Sequence, residues 1–417
     1  MNRFASLLFL RKKRATRWAL YYLYAFFFLA IAGDFLANEK PLYCKLEGKR
    51  YFPVVQQYAI DLGWGHWEAR FLQQGWKDQS YEQVVFPLIP YSARTIDRSN
   101  LGAKSPFGPQ RVKSNWGWHW LGTDMAGHDV AAGLIHGSRV AFMIGLIGML
   151  VATLLGIFFG GLAGFFGDTR YRLPVGNAIA YSLAIALSGY LVWAFLLAHG
   201  GQPDIGTAWW IPVGGSALFF LAGWVLALGL NRLPLGRRTM ALRFDFWITR
   251  LTEVLNSLPT LLFVMAILAI LDQPNIYAVM VVIGLVRWTG ISRLVRAELL
   301  RVRSLDYIEA ARVLGYSSWR IFFRHALPNS LGPVWVTLAF GMAGAILVEA
   351  SLSFLGIGLP VETVTWGSLM RQISGSNIRP WWLAVFPGTA IFLTVASFNL
   401  LGEALSEWFD PRGEAGR

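Results

Sequence analysis

The sequence is poor in cysteine, in histidine and in known catalytic signatures. Cys44 is the single cysteine among 417 residues, which excludes an internal disulfide and a metal site built from several cysteines. The six histidines show no metal-ligand spacing, and the patterns GxxxxGK(S/T), HExxH and GxSxG do not occur. We therefore expect that the chain is not an enzyme and binds no nucleotide, metal or other cofactor of its own.

Charge is also scarce. Charged residues make up 15% of the chain and hydrophobic residues 55%, and the mean hydropathy is +0.45. A soluble protein of this composition would expose large apolar patches, so the sequence predicts an integral membrane protein. The net charge of +13 comes from basic residues beside long apolar runs. This pattern is typical of cytoplasmic loops in membrane proteins and argues against nucleic-acid binding.

The first 137 residues divide into a membrane anchor and an extramembrane segment. Six basic residues precede the apolar run from Trp18 to Leu36. This arrangement predicts that residues 1–36 form a cytoplasmic N-terminus and a retained first membrane helix. Residues 37–137 are rich in aromatics and proline and have mixed charge. They are predicted to form a small, ordered extracytoplasmic domain with some strand content.

Charge-free runs predict further membrane helices. Residues 141–166 contain six glycines and no charge, which predicts a span within 138–169 that packs closely against another helix. About eight spans are predicted in total. The remaining ones lie at 175–198, 205–230, 254–271, 273–286 (or as far as Ile291), 331–359 and from Trp381 onward.

A basic stretch at 287–328 interrupts the apolar runs and contains eight arginines. Its pattern predicts a short helix from about Ser304 that ends at Gly315, because glycine tolerates the left-handed conformation that ends helices. A second short helix is predicted from Ser317 to about His325, stopping near Pro328. Such a helix pair would present a compact surface to a soluble partner.

This stretch resembles the EAA loop of permease subunits of ABC importers, in the oligopeptide and dipeptide family. The resemblance implies that the loop docks into a cleft of an ATPase subunit and couples ATP hydrolysis to transport. His325 stands where the family has an apolar β-branched residue. The residues that match the family and are implied to couple the subunits are Glu309, Ala310, Ala311, Gly315, Leu327 and Pro328.

Two further segments resemble the same family. Thr123 and Asp124 suit a helix N-cap, and capping alone would account for Asp124 and Asp129. His128 stands where the family has arginine. Glu349, inside an apolar run, either lines the translocation path or pairs with a neighbouring helix. The residues implied to form a gate or path are Gly122, Thr123, Asp124, Gly127, Asp129 and Glu349.

The resemblance implies an all-α polytopic membrane protein, a type I-like ABC importer permease bundle with a small extracytoplasmic domain. It covers 112–167 and 245–412 firmly, with the permease core at 243–412 and a tail at 413–417. Residues 170–242 look like an inserted two-helix hairpin. The first 110 residues are more loosely similar to the subgroup associated with microcin C and longer peptides.

The implied function is that of a permease subunit of an ATP-driven peptide importer in the bacterial inner membrane, with both termini cytoplasmic. The implied partners are a homologous second permease, two ATPase subunits that bind ATP and magnesium, an extracytoplasmic solute-binding protein and membrane lipid. The alternatives are an importer of nickel or another small solute, an exporter, and a non-transporting membrane scaffold.

Overall fold

The computed structural model describes residues 13–68, 71, 75–112, 117–168, 172–198, 210–271, 275–360, 363–373 and 380–409. The basic residues before Lys13 and the tail at 413–417 lie outside the described residues. The chain divides into two compact units. The first unit comprises residues 1–152, 274–287 and 335–417, and the second comprises 153–273 and 288–334.

Helices dominate the described residues. In chain order they are α1 (Arg14–Leu36), α2 (Pro53–Asp61), α3 (Val130–Gly161, continued by a π-helical turn at Leu162–Phe166), α4 (Val175–Ala198), α5 (Trp210–Leu230), α6 (Phe244–Ser257), α7 (Thr260–Ile270), α8 (Ile276–Val302), α9 (Asp306–Val313), α10 (Ser318–Ile321, followed by a π-helical turn at Phe322–Ala326), α11 (Leu327–Ser330), α12 (Gly332–Leu355), α13 (Trp366–Arg371) and α14 (Trp382–Phe409). The strands are β1 (Tyr43–Leu46), β2 (Lys49–Tyr51), β3 (Gln83–Val85), β4 (Arg172–Pro174) and β5 (Thr239–Ala241).

Seven helices in the described residues are long and apolar enough to cross a membrane, and the pair α6–α7 raises the number to eight if it counts as one bent span. The prediction of an unbroken span over Val254–Leu271 was wrong, because the two helices meet at an angle of 91°. Pro259 explains the break. It has no amide hydrogen to donate, and it forces Leu258 into an extended conformation (φ −89°, ψ 134°).

Helix α8 differs from its prediction in the opposite way. The apolar run was expected to end at Val286 or at Ile291, but the helix continues to Val302. No proline follows Arg287 in this helix, and the helix runs through Gly290 to the turn that follows Val302. The first part of the basic stretch at 287–328 is therefore the end of a long helix.

In the first unit, the first and the last of the described helices, α1 and α14, lie side by side. Lys13, just before α1, forms an ion pair with Glu407 near the end of α14. Deeper along the same helices, the Tyr22 hydroxyl lies 3.0 Å from the Thr394 hydroxyl. The N-terminal end of α1 therefore lies beside the C-terminal end of α14.

The first unit also contains the small domain that follows α1. A three-stranded antiparallel sheet has the order β2-β1-β3, with Cys44 paired to Tyr51 and to Val84. One face of β1 is buried by Phe71 and Trp76, whose rings stack 4.8 Å apart. Alternation along β1 places Cys44 and Leu46 in this core, which explains why a short strand forms here.

In the second unit, α4 and α5 form a hairpin whose two ends are joined. Strands β4 and β5 pair antiparallel, with Arg172 opposite Ala241. Just outside the strands, the Phe246 amide donates a hydrogen bond of 3.1 Å to Asp168. The chain therefore leaves and re-enters at one place, as expected for an inserted hairpin.

Glycines bring α3 and α8 together in the second unit. A Cβ atom at Gly156 would lie 2.6 Å from Ile291, one at Gly160 2.6 Å from the Ser292 carbonyl oxygen, and one at Gly164 2.7 Å from the Arg296 carbonyl oxygen. Larger residues at these positions would push the helices apart. The glycines within 141–166 therefore allow α3 to pack closely against α8.

Candidate functional site: coupling helices and outer loop

The basic stretch forms two short helical segments joined at a glycine. Helix α9 ends at Val313, and Gly315 has φ +78°. The second segment begins at Ser317, whose side chain accepts a hydrogen bond from the Arg320 amide. It was predicted to stop near Pro328, but it continues through α11 to Ser330. Proline lies in the first turn of α11, where its missing N–H leaves no hydrogen bond unmade.

The two matched alanines point in different directions. Ala311 is 5% exposed and, with the fully buried Ile308, faces the interior of the second unit. Ala310 is exposed on the opposite side. Val313 and Leu314 follow Ala310 at three and four residues, so all three share one helix face. The side chain of Val313 is 87% exposed and that of Leu314 is 71% exposed. We call Ala310, Val313, Leu314 and Gly315 the docking face.

The other matched residues surround the docking face. Glu309 is exposed and forms an ion pair of 3.1 Å with Arg312, an interaction that is weak at a surface. Pro328 is exposed and Leu327 is half-buried. The Asn329 amide donates a hydrogen bond of 3.1 Å to the Tyr307 hydroxyl, which joins α11 to α9. The two short helical segments are therefore held to one another.

We call α9 to α11 (residues 306–330) the coupling helices, after the role that the family resemblance implies. They contact the end of α3 within the second unit. A Cβ atom at Gly161 would lie 2.8 Å from the Phe322 ring, so the ring packs directly on the glycine backbone. The Arg303 guanidinium donates a hydrogen bond of 3.2 Å to the Gly164 carbonyl oxygen. Phe166 also contacts Trp319, with ring centroids 4.7 Å apart. A displacement of the coupling helices would therefore act on α3.

In the first unit, the predicted gate residues other than Glu349 lie in the loop before α3. We call residues 122–129 the outer loop. Gly122 (φ +79°) and Gly127 (φ +86°) take left-handed conformations, and a Cβ atom at either would collide with backbone at 2.5–2.6 Å. Of the residues predicted to cap α3, Asp129 does so by accepting a hydrogen bond of 2.7 Å from the Ala132 amide, whereas Thr123 and Asp124 do not. The helix consequently begins at Val130, before the predicted boundary at 138.

Asp124 connects the outer loop to α13. Its carboxylate accepts hydrogen bonds from the His128 amide (2.8 Å), the His128 ring (2.9 Å) and the Gln372 amide group (2.9 Å). Burial opposes ionisation of Asp124, but these hydrogen bonds outweigh it and hold its pKa below the ordinary value of 3.8. The hydrogen bond to Asp124 raises the pKa of His128.

Thr123 fixes the loop to the helix that follows α13. Its carbonyl oxygen accepts a hydrogen bond of 3.0 Å from the Trp382 indole, and its hydroxyl donates one of 2.9 Å to the Asn100 carbonyl oxygen. Both of these contacts join segments that are far apart in sequence. The outer loop is therefore held on several sides.

His119 extends the network and was not singled out by the sequence. Its ring is fully buried, with Nδ1 2.8 Å from Asp129 and Nε2 3.1 Å from Asp97. It stacks on Tyr91 at 4.3 Å, and the Lys77 ammonium lies 3.4 Å from the Tyr91 ring centroid. Burial lowers the pKa of Lys77 to about 8. These residues come from four separate segments, so no local pattern could have connected them.

Glu349 belongs to a separate, buried network. It is 2% exposed and accepts a hydrogen bond of 2.7 Å from the Ser353 hydroxyl, and the Thr365 side chain lies close to its carboxylate. Thr365 itself caps α13. Of the two interpretations left open, this geometry favours pairing with a neighbouring segment, because the carboxylate does not reach the surface of the chain.

Comparisons with known proteins agree with this description. Residues 233–414 match the family described as binding-protein-dependent transport system inner membrane component. The chain is 28% identical over 407 residues to the inner membrane ABC transporter permease protein YejE of Escherichia coli K12, covering 96% of this chain and 94% of that protein.

Two other relatives have related descriptions. The peptidoglycan transport system permease protein YejE of Agrobacterium fabrum C58 is 26% identical over 431 residues, which cover 96% of this chain and 91% of that protein. The glutathione transport system permease protein GsiD of Pectobacterium atrosepticum is 26% identical over 372 residues, covering 86% of this chain and 95% of that protein.

Proposed function

We propose that this chain is an ABC-importer permease of the peptide family, one of the binding-protein-dependent transport system inner membrane components, and that it carries peptides inward across the membrane. It is a multi-pass protein of the inner membrane, and as a permease of this family it is not itself catalytic. The names of the relatives support a peptide-containing substrate, since they mention peptidoglycan and glutathione transport.

The proposed complex contains this chain, a homologous second permease, two ATPase subunits and an extracytoplasmic solute-binding protein. A second permease is needed because a single bundle of this size cannot surround a peptide. The ATPase subunits would bind ATP and magnesium and supply the energy. With both termini in the cytoplasm, the coupling helices and the ATPases lie on the same side of the membrane, which agrees with the arginines around α9.

The observation that carries this proposal is the docking face. Val313 and Leu314 are large apolar side chains that are more exposed than a soluble surface normally leaves them, and Gly315 sets a sharp angle beside them. An apolar cleft in a partner would bury them. Closure of the two ATPases would then move α9, and the contact of Phe322 with Gly161 would pass that movement to α3.

The outer loop has a complementary role in the proposal. Hydrogen bonds of Asp124 and Thr123 hold the loop against α13 and α14, so a change in one element displaces the others. We assign this loop to the outer gate, with Gly122 and Gly127 allowing its turns. Glu349 would support the gate from within, because Thr365, which caps α13, lies close to its carboxylate.

Co-purification tests the proposal. The chain is expressed together with the proteins encoded by its neighbouring genes and is purified from membranes in mild detergent. The ATPase activity of the purified sample and peptide uptake by the cells are then measured. Ala310→Trp, which enlarges the docking face, should remove the ATPase subunits and abolish uptake while the permease stays in the membrane. Ala186→Trp provides the control, because Ala186 is also an exposed helical alanine but lies in α4.

Two results would contradict the proposal. If the chain purifies alone under several conditions, or if Ala310→Trp leaves uptake normal, the docking face does not couple this chain to an ATPase. The scaffold alternative would then explain the chain better.

A further inference from the structure

Arg287, in the membrane helix α8, has a buried guanidinium nitrogen with no hydrogen-bond partner among the described residues. Arg287 is the twelfth residue of α8, so a rise of 1.5 Å per residue places it roughly 16 Å from the start of the helix. Because the hydrocarbon core of a bilayer is about 30 Å thick, this depth is near its middle. The residues of α8 that precede Arg287 carry no charge.

The Arg287 guanidinium lies against the backbone of α12 in the first unit. A Cβ atom at Gly344 would be 2.5 Å from Nη2 and 2.7 Å from Nη1 of Arg287. Gly344 is the thirteenth residue of α12 and is also near the middle of its helix. Only glycine leaves room for a guanidinium at this point, so the two residues form one structural feature.

Nothing in the described part of the chain neutralises Arg287. Its Nε atom is buried and has no hydrogen-bond partner among the described residues. No ion pair joins its guanidinium to a carboxylate of the described residues. Glu349, the acidic residue of α12, interacts with Ser353 and Thr365 instead.

An unneutralised arginine at this depth is unfavourable unless it faces a water-filled path or binds an anion, so such residues mark substrate pathways in membrane proteins. A guanidinium matches a carboxylate in shape and binds it through two parallel hydrogen bonds. Every linear peptide with a free C-terminus carries a C-terminal carboxylate, whatever its side chains. Resting on the proposed function, we propose that Arg287 binds the C-terminal carboxylate of the peptide midway through the membrane.

A comparison of free-acid and amidated peptides tests this role. A mixed-sequence library of peptides four to eight residues long is prepared both as free acids and as C-terminal amides. Uptake by the complete transporter is quantified by mass spectrometry, and the ratio of acid to amide uptake is calculated for each variant. Because every variant is assayed with the same binding protein, the preference of that protein cancels when the ratios of two variants are compared.

In Arg287→Gln the ratio should fall by about 10-fold, as expected for loss of a hydrogen-bonded charge pair, with amide uptake unchanged. Arg287→Lys should keep part of the preference, since the charge remains without the planar fork. Gly344→Leu should lower the ratio by displacing the guanidinium. Arg293→Gln is the matched control, since Arg293 is an exposed arginine of the same helix, and its ratio should equal that of the wild type.

Other outcomes would overturn the inference. An unchanged ratio in Arg287→Gln would show that Arg287 does not read the carboxylate, and an equal loss of acid and amide uptake would show a structural role. In both cases the wild type still imports peptides and the proposed function stands. If the wild-type complex imports neither form, the proposed function itself fails, and the inference fails with it.

Discussion

The Nδ1 atom of His119 lies 2.8 Å from the carboxylate of Asp129, whose other oxygen caps α3. One aspartate therefore fixes the start of a membrane helix and holds a buried histidine of the preceding loop. The same side chain therefore fixes both the position of the outer loop and the first turn of α3.

Asp129→Ala should destabilise the protein by about 2–4 kcal/mol. Loss of a helix cap costs about 1 kcal/mol, and a buried polar group left without a partner costs about 1–3 kcal/mol more. Thermal unfolding in detergent would measure this loss. Asp129→Asn should lose less, because it can still cap α3. Asp61→Ala, at an exposed position in α2, is the control, and an equal effect there would contradict the assignment.

The Asp124–His128 pair predicts a pH dependence of stability. His128 has a raised pKa, so its stabilising effect is complete below the ordinary value of 6.5 and disappears as pH rises through the raised pKa. Asp124 has a lowered pKa, so its effect is present above 3.8 and disappears as pH falls through the lowered pKa. The pair therefore stabilises the loop most between these two values.

His128→Gln should consequently lower the unfolding temperature more at a pH of about 5.5 than at a pH of about 9. The measurement is thermal unfolding of both proteins across this range, with the difference plotted against pH. A difference that does not vary with pH would show that the charge of His128 makes no contribution.

Gly161→Leu should uncouple ATP hydrolysis from transport. The new side chain would occupy the position of the Phe322 ring, and overpacking of this kind costs about 1–3 kcal/mol. We expect the ATPase subunits to remain bound and active while peptide uptake falls at least about 5-fold. Gly189→Leu serves as the control, because no heavy atom lies within 4 Å of a Cβ at Gly189. Equal uptake by the two variants would argue against a route through α3.

Removal of the hairpin should leave transport intact. Pro174 and Thr239 are paired in β4 and β5, so residues 175–238 can be replaced by an Asn-Gly turn without moving the flanking chain. Uptake by the shortened protein should be close to that of the wild type, after correction for its amount in the membrane. A shortened protein that inserts normally but does not transport would make the hairpin a working part, as the scaffold alternative requires.

Local patterns predicted the helices well where the chemistry is local. Gly315 ends α9 as expected, since a left-handed turn depends on one residue. The apolar runs predicted the membrane helices because the hydropathy of a span depends only on its own contiguous residues. The break at Pro259 was missed because the apolar run continues on both sides of it, and hydropathy does not register backbone geometry.

The site was less predictable because it depends on distant contacts. Ala310 and Ala311 are identical in sequence terms, and only the packing around Ile308 decides that one is exposed and the other buried. Of the two aspartates that the sequence offered as caps, only Asp129 caps α3, and Asp124 instead binds Gln372, almost 250 positions away. Neither of these facts has a local signature.

The ion pair of Lys13 with Glu407 joins residues that leave the ribosome 394 positions apart. Helix α1 therefore enters the bilayer long before its packing partner α14 is made. Until then, Tyr22 and Phe26 lack the contacts that bury them, and lipid or the insertion machinery must cover that face. The first unit can close only after α14 has been made, and a chain that stops short of Thr394 leaves helix α1 without a place to pack.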